Sequence, residues 1–230
     1  MLWFIGLGIS GISELSDSTI SVIKNADIVY LESFTSPISE TEKDNLSFLC
    51  NGEFKIAKRW FVEDGNEILN NAKIKEVVLI SYGDPYIATT HLELKTRAIR
   101  DKIETKTIHS SSIVSSLIGE VGLHYYKVGK ILTVMNDPKS MITPYNTIFH
   151  NLLSKSHSLI LLEYNEDKSF FLSPHDAISL LLDVENTQNG KIISSDTFVI
   201  IASRIGKSDQ KIISGKISSL IKKELGKPPH

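Results

Sequence analysis

One cysteine in 230 residues, Cys50, leaves no partner for an internal disulfide and no second thiolate for a metal pair. It reads as a small, half-buried apolar residue, and the chain fits a reducing cytoplasm. Charge of one sign is equally scarce: 25 basic against 27 acidic residues give a net charge of −2, so there is no bulk electrostatic case for nucleic acid. No stretch approaches the roughly 20 consecutive apolar residues of a membrane span. The apolar Met1–Gly8 is too short for a secretory signal core and lacks a basic region before it, so it reads as a first strand. The seven histidines show neither HxxxH nor HExxH spacing, and a metal site is not expected. What remains is 41% hydrophobic and 23% charged residues, the make-up of a globular protein with one large domain or two small ones.

The segment Glu76–His91, EVVLISYGDPYIATTH, organises this material. Val77-Val78-Leu79-Ile80 is a continuous, β-branched run of the kind buried on both faces of a sheet. Gly83-Asp84-Pro85 stops it, since glycine tolerates positive φ and proline fixes its own φ and removes a donor. Ala88, Leu92, Ile99 and Ile103 then recur at near-helical spacing. Strand, tight acidic loop and helix place a loop at the carboxyl end of a parallel strand, where open α/β sheets bind ligands.

Before this segment, strands are expected at Leu2–Ile5, Asp27–Leu31 and Lys55–Ala57, and helices at Ser16–Ala26 (Ile20 and Ile23 inward), Glu42–Leu49 and Asp64–Ala72. A strand at Thr105–His109 completes a β-α-β-α-β-α-β order, which predicts a parallel sheet covered on both faces. Ser110–Ser112 is the candidate linker, dividing the chain into domains 1–110 and 111–230. In the second half, helices are predicted at Ile113–Val121, after Thr143-Pro144 through Leu153, and after Ser173-Pro174. Strands are predicted at Lys130–Met135, Ser158–Tyr164 and Thr197–Ser203. Ile213, Ile217, Leu220, Ile221 and Leu225 trace the core stripe of a last helix.

Gly6-Leu7-Gly8-Ile9-Ser10-Gly11 is a literal GxGxxG after a strand, with Glu32 as the acidic residue some distance on. A dinucleotide fingerprint needs the helix to start at the third glycine. Here Ile12–Leu15 intervenes, so the nicotinamide reading fits poorly. More specific is the pairing of this loop with GDPYIATTH. Together with Lys24–Ser36 (KNADIVYLESFTS), Gly122–Lys130 (GLHYYKVGK) and Pro228-Pro229-His230, it resembles the diphthine synthase family from end to end.

That family belongs to the tetrapyrrole-methylase-like methyltransferases. The resemblance implies two α/β domains, with a parallel sheet in the first, a mixed sheet in the second, and S-adenosylmethionine folded into the cleft between them. It further implies a cytoplasmic homodimer that repeatedly methylates one amine, on the aminocarboxypropyl-modified histidine of translation elongation factor 2. S-adenosylhomocysteine would be the product, with no nucleic acid or membrane as partner. By local motif, the donor-binding positions carried over are Ile9, Asp84, Ile87, Ser112, Ile113, Leu162, Ile205 and His230. The family continues past Pro-Pro-His with a further strand and helix that this chain lacks, as a truncated chain or a shortened tail would.

Methyl transfer from a sulfonium is an in-line displacement that needs an unprotonated amine, so positioning and desolvation carry most of the catalysis. No general base is assigned from the sequence. Asp84 has two readings: acceptor for the donor, or cap of its own turn. His91 reads as lining the cleft or as a capping or helix-surface residue, and Trp60, near Lys58 and Arg59, as partly buried or as part of a surface that meets the protein substrate. Two competing functions remain open: methylation of a tetrapyrrole precursor, and a non-catalytic module that binds a partner protein.

Overall fold

The computed structural model describes residues 1–230, which divide into two compact units, Met1–Ile113 and Val114–His230. Unit 1 is built on β1 (Leu2–Gly6), α1 (Asp17–Asn25), β2 (Ile28–Glu32), α2 (Glu40–Leu49), β3 (Glu53–Ala57), α3 (Arg59–Asp64), α4 (Asn66–Ala72), β4 (Val77–Ser81), α5 (His91–Arg100) and β5 (Thr105–Ile108). The five strands form one parallel sheet in the order β3-β2-β4-β1-β5. Every residue of β2 and β4 is buried, as expected for central strands covered on both faces.

Alternation along the strands sorts the core into two layers. Ile5, Val29, Leu31, Val78 and Ile80 pack with Ile23 of α1 and Leu46 of α2. Leu2, Phe4, Ile28, Tyr30, Val77 and Leu79 pack with Val62 of α3, Ile68 and Leu69 of α4, and Leu94 and Ala98 of α5. The crossovers that leave β1 and β2 therefore cover one face, and those that leave β3 and β4 cover the other. Neighbouring strands β1 and β4 send their chains to opposite faces, so the carboxyl ends of these two strands form a topological switch point.

The caps follow the local chemistry. Ser16 accepts from Thr19 N at the start of α1, and Ser39 and Glu42 form a reciprocal capping box on α2. Where one helix was expected over Asp64–Ala72, two occur, because Gly65 takes a left-handed φ of +63° that ends α3 and starts α4. The stripe of α5 is also displaced from expectation. His91, Leu94 and Ala98 are buried, whereas Leu92 and Ile99 point outward and Ala88 precedes the helix. Trp60 is exposed, with its ring edge-on to Phe61.

Unit 2 contains α6 (Ile113–Glu120, whose first residue is the last of unit 1), β6 (Leu132–Val134), α7 (Ile142–Leu153), β7 (Ile160–Leu162), β8 (Tyr164–Asn165), β9 (Phe170–Phe171), α8 (Pro174–Gln188), β10 (Phe198–Ser203), β11 (Lys211–Lys216) and α9 (Ile217–Leu220). Its pairing is both parallel (β6–β7) and antiparallel (β8–β9 and β10–β11), spread over three two-stranded ladders. The expected strand Ser158–Tyr164 is thus shared between two ladders. The expected long last helix is confined to Ile217–Leu220: Ile213 belongs to β11, where it pairs with Ile201 of β10. The β-branched run Ile212-Ile213 favours that strand over a helix. Thr143-Pro144 does not cap α7, which begins one residue earlier at Ile142 and holds Pro144 in its first turn, where a missing N–H is tolerated. Ser173 does cap α8, accepting from Asp176 N, with Pro174 at the first helical position. Ile178, Leu181 and Leu220 share the unit's main core with Val134, Met141 and Tyr145.

An alanine Cβ at Gly65 would sit 2.4 Å from Leu94 Cδ1, in a φ region that side chains avoid. Gly65→Ala is expected to destabilise the protein by roughly 1–3 kcal/mol in denaturant titrations.

Candidate functional site

At the switch point the loops after β1 and β4 are stitched together. Gly8 N donates to Gly83 O at 3.1 Å and Gly83 N to Gly8 O at 3.0 Å, with Leu7 N on Ser81 O below them. Both glycines are left-handed, at φ +70° and +71°. Gly6 must also lack a side chain, because its Cβ would meet Gly83 O at 2.4 Å. Gly83 differs in that a Cβ there would touch nothing closer than Ser111 O at 3.9 Å. Backbone is thus left open to a ligand on that side of the bridge.

A third segment, Ser110–Ser112, which lies just before the division between the two units, closes onto the bridge. Ile9 N donates to Ser111 Oγ at 3.0 Å, and Ser111 Oγ in turn donates to Glu14, whose other oxygen accepts from Ser10 N. Burial alone would raise the Glu14 carboxyl, but the hydrogen bonds from Ser111 and Ser10 outweigh it and hold it below the usual carboxylate range. Glu14 and Ser111 were not anticipated from the sequence, since neither belongs to a motif.

Asp84 is buried and occupied. Its Oδ1 accepts from Tyr86 N at 2.9 Å, and its Oδ2 receives His109 Nδ1 at 2.7 Å and Ser110 N at 3.4 Å. The turn-capping reading of Asp84 is therefore realised in the structure, and His109 gains a role that its isolated position in the sequence did not suggest. Further along the loop Ala88 is held at φ +59°, a costly conformation for a residue with a Cβ. The Pro85 carbonyl anchors it by accepting from Thr89 Oγ1 at 2.6 Å and from His91 Nδ1 at 2.9 Å. His91 is buried, not on a helix surface, and burial is the main reason its pKa is lowered.

Of the residues carried over to unit 1, Ile9 and Asp84 meet the 110–112 segment through Ser111 and Ser110; Ser112 is buried, Ile87 is exposed in the loop after β4, and Ile113, also exposed, is the first residue of the helix that follows. In unit 2, Leu162 is half-buried on β7. Ile205 is buried just after β10, beside Arg204, whose N–H donates to Pro229 O and so ties the chain before His230 to that strand end.

Burial is most consequential at Glu32, the last residue of β2. Its Oε2 accepts from Phe34 N and Thr35 N, while Oε1 has no partner. Burial pushes its pKa from the ordinary 4.5 up to about 7, against the opposing hydrogen bonds from Thr35 and Phe34 and the charge of Arg59.

The family model for Tetrapyrrole (Corrin/Porphyrin) Methylases matches residues 1–221. The chain belongs to the tetrapyrrole methylase family. Curated relatives agree over its whole length: the diphthine synthase of Methanocaldococcus jannaschii is 31% identical over 235 residues, covering 100% of this chain and 91% of the relative. That of Methanosphaera stadtmanae is 33% identical over 232 residues, covering 100% and 88%. A crystal structure of diphthine synthase superposes with a TM-score of 0.86 at 29% identity, covering 100% of this chain and 87% of that one. This tetrapyrrole methylase is accordingly a methyltransferase. No helix in it is long and apolar enough to cross a membrane.

A folded-state carboxyl pKa above the unfolded one means that the native state keeps its proton while the unfolded chain loses it. Glu32 therefore costs stability as pH rises from about 4.5 to about 7, on the order of 3 kcal/mol once fully ionised. His91 acts in the opposite sense, as its lowered pKa costs stability toward acid. Thermal unfolding from about pH 5 to about pH 8 should show a smaller loss for Glu32→Gln than for the wild type, because the amide cannot ionise.

Proposed function

We propose that this methyltransferase uses S-adenosylmethionine to methylate, in successive rounds, the amine of the aminocarboxypropyl-modified histidine of translation elongation factor 2, forming diphthine in diphthamide biosynthesis. The observation that carries this reading is the agreement with proteins named diphthine synthase across the entire chain, at about 31% identity. A homodimer acting in the cytoplasm completes the proposal.

The residues of unit 1 fit such a donor. Gly83 leaves an uncovered backbone at the switch point, Ile87 and Ile113 offer apolar surface for an adenine or thioether, and the Asp84 carboxylate supplies negative charge near a sulfonium. Ile9, Ser112, Leu162, Ile205 and His230 complete the proposed donor set. Bound there, the donor supplies an electrophilic methyl carbon. The chain's own part is positioning: the Gly8–Gly83 bridge fixes the two loops, Asp84 fixes Tyr86, His109 and Ser110 around them, and Pro85 O holds the start of α5. Rate then comes from a fixed attack geometry.

The family's description favours one competing substrate, a tetrapyrrole precursor. Transfer of labelled methyl groups decides between them: incorporation into the modified elongation factor is expected, and incorporation into a porphyrinoid alone would overturn the proposal.

Calorimetric titration of the wild type should reveal binding of S-adenosylmethionine and none of a nicotinamide dinucleotide. Asp84→Ala removes the acceptor of Tyr86 N and the partner of His109 together, and should weaken donor binding by about tenfold or more, the loss of one charge-assisted hydrogen bond. Unchanged affinity in a folded Asp84→Ala variant would remove Asp84 from the donor site.

A further inference from the structure

Three buried polar atoms of unit 1 have no hydrogen-bond partner at the carboxyl end of one sheet face: Glu32 Oε1, Ser81 Oγ and His91 Nε2. Their placement is not accidental to the fold. Leu31 is in register with Ile80, so Glu32 and Ser81 end β2 and β4 side by side. Their side chains follow those of Tyr30 and Leu79 onto the face covered by α3, α4 and α5. His91 belongs to the buried stripe of α5 that packs on that same face. Phe34 joins the group, since its N–H donates to Glu32 and its ring meets the His91 ring edge-on, with centroids 6.1 Å apart. Above it the Arg59 guanidinium lies 4.8 Å from the Phe34 ring centroid, and its charge acts on both Glu32 and His91.

The chemistry of the cluster is that of an acceptor set. Pro85 O can only accept, so His91 Nδ1 carries the ring proton and Nε2 presents a bare lone pair. Glu32 Oε1 is a second acceptor when ionised, and the Ser81 hydroxyl can accept as well. Unpaired buried polar groups cost stability in proportion to their desolvation, and three of them lie toward the same edge of one sheet face.

We propose that Glu32, Ser81 and His91 form a buried pocket for the amine of an α-amino-acid head group, with Arg59 at its rim for the carboxylate. This deepens the function proposed above and rests on it: the amine held here is the one that receives the methyl group. Ionised Glu32 takes one proton from the incoming ammonium, which leaves a neutral amine and a neutral carboxylic acid; the amine then turns its new lone pair away from the Glu32 O–H toward the methyl carbon. A carboxyl that titrates near neutral pH is suited to that exchange. A surface pocket of about 160 Å³ opens between α3 and α5, lined by Val62, Glu63, Thr90, Glu93 and Leu94. Phe34 and Arg59 form the cover that has to shift for entry.

The test follows the imidazole nitrogens of His91 by NMR in the full chain during titration with 2-aminobutyrate, and with butyrate as the amine-free control. The Nε2 signal is expected to move with 2-aminobutyrate and not with butyrate. In Glu32→Gln, whose amide oxygen can stay on Phe34 N and Thr35 N while its NH₂ faces the pocket, the response should be lost. Affinity of this variant for S-adenosylmethionine should stay within about twofold of wild type, while methyl transfer falls by at least about tenfold, within the usual contribution of a proton-transfer group. An Nε2 signal that stays still, or that responds equally to both acids, overturns the pocket, as does full methyl-transfer activity in folded Glu32→Gln. Absence of S-adenosylmethionine binding by the wild type would instead refute the proposed function, and the titration would still decide the pocket.

Discussion

The pair of backbone hydrogen bonds between Gly8 and Gly83 is the constraint on which unit 1 depends at its functional edge. Two loops that leave adjacent parallel strands in opposite directions have no ladder to hold them, yet here they are joined at 3.0–3.1 Å. The join requires left-handed φ at both residues and no side chain at Gly6. Once it is made, the Ser110–Ser112 segment can bond to both loops, through Ile9 N to Ser111 and through Ser110 N to Asp84. Three separate strand ends thereby become one rigid surface with little reliance on side-chain packing.

Around that surface the polar groups are divided into satisfied and unsatisfied sets, and the division separates structural from receptive positions. Asp84, Glu14 and the Pro85 carbonyl are each engaged by two or more donors, and they fix the loop geometry. Glu32, Ser81 and His91 each keep a buried atom without a partner. A protein stable by only a small margin retains such atoms where they have a use, and the strained φ of Ala88 lies in the loop between Ser81 and His91.

Much of the fold was legible because β2 and β4 are short β-branched runs, because glycine follows β1 and β4, and because Ser16 and Ser173 are strong helix caps. Misreadings share a cause: local periodicity was compatible with two outcomes. Leu92 and Ile99 are spaced as a helical stripe, but His91, Leu94 and Ala98 form another, and contact with the sheet selected it. Ile213 fits the phase of the last helix equally well as it fits β11, and pairing with β10 decided the matter. The GDPYIATTH loop was visible from composition and turn chemistry, whereas Ser111, Glu14 and His109 were not, since they meet it from distant parts of the sequence.

Glu32 illustrates how position in a sheet can change the meaning of a residue. From sequence it was the loosely placed acid of a dinucleotide motif, a role that calls for a solvated carboxylate reaching a ribose. In the fold it ends the second strand of a doubly covered sheet and turns inward, with one oxygen spent on the Phe34–Thr35 turn and a pKa near 7. A carboxyl in that state exchanges protons at neutral pH, and the neutral His91 on the same face cannot compete with it for a proton there. Methylation of an amine needs a lone pair on nitrogen and so a place for its proton to go. Glu32 is the carboxyl of unit 1 whose burial, position and proton affinity together meet that requirement.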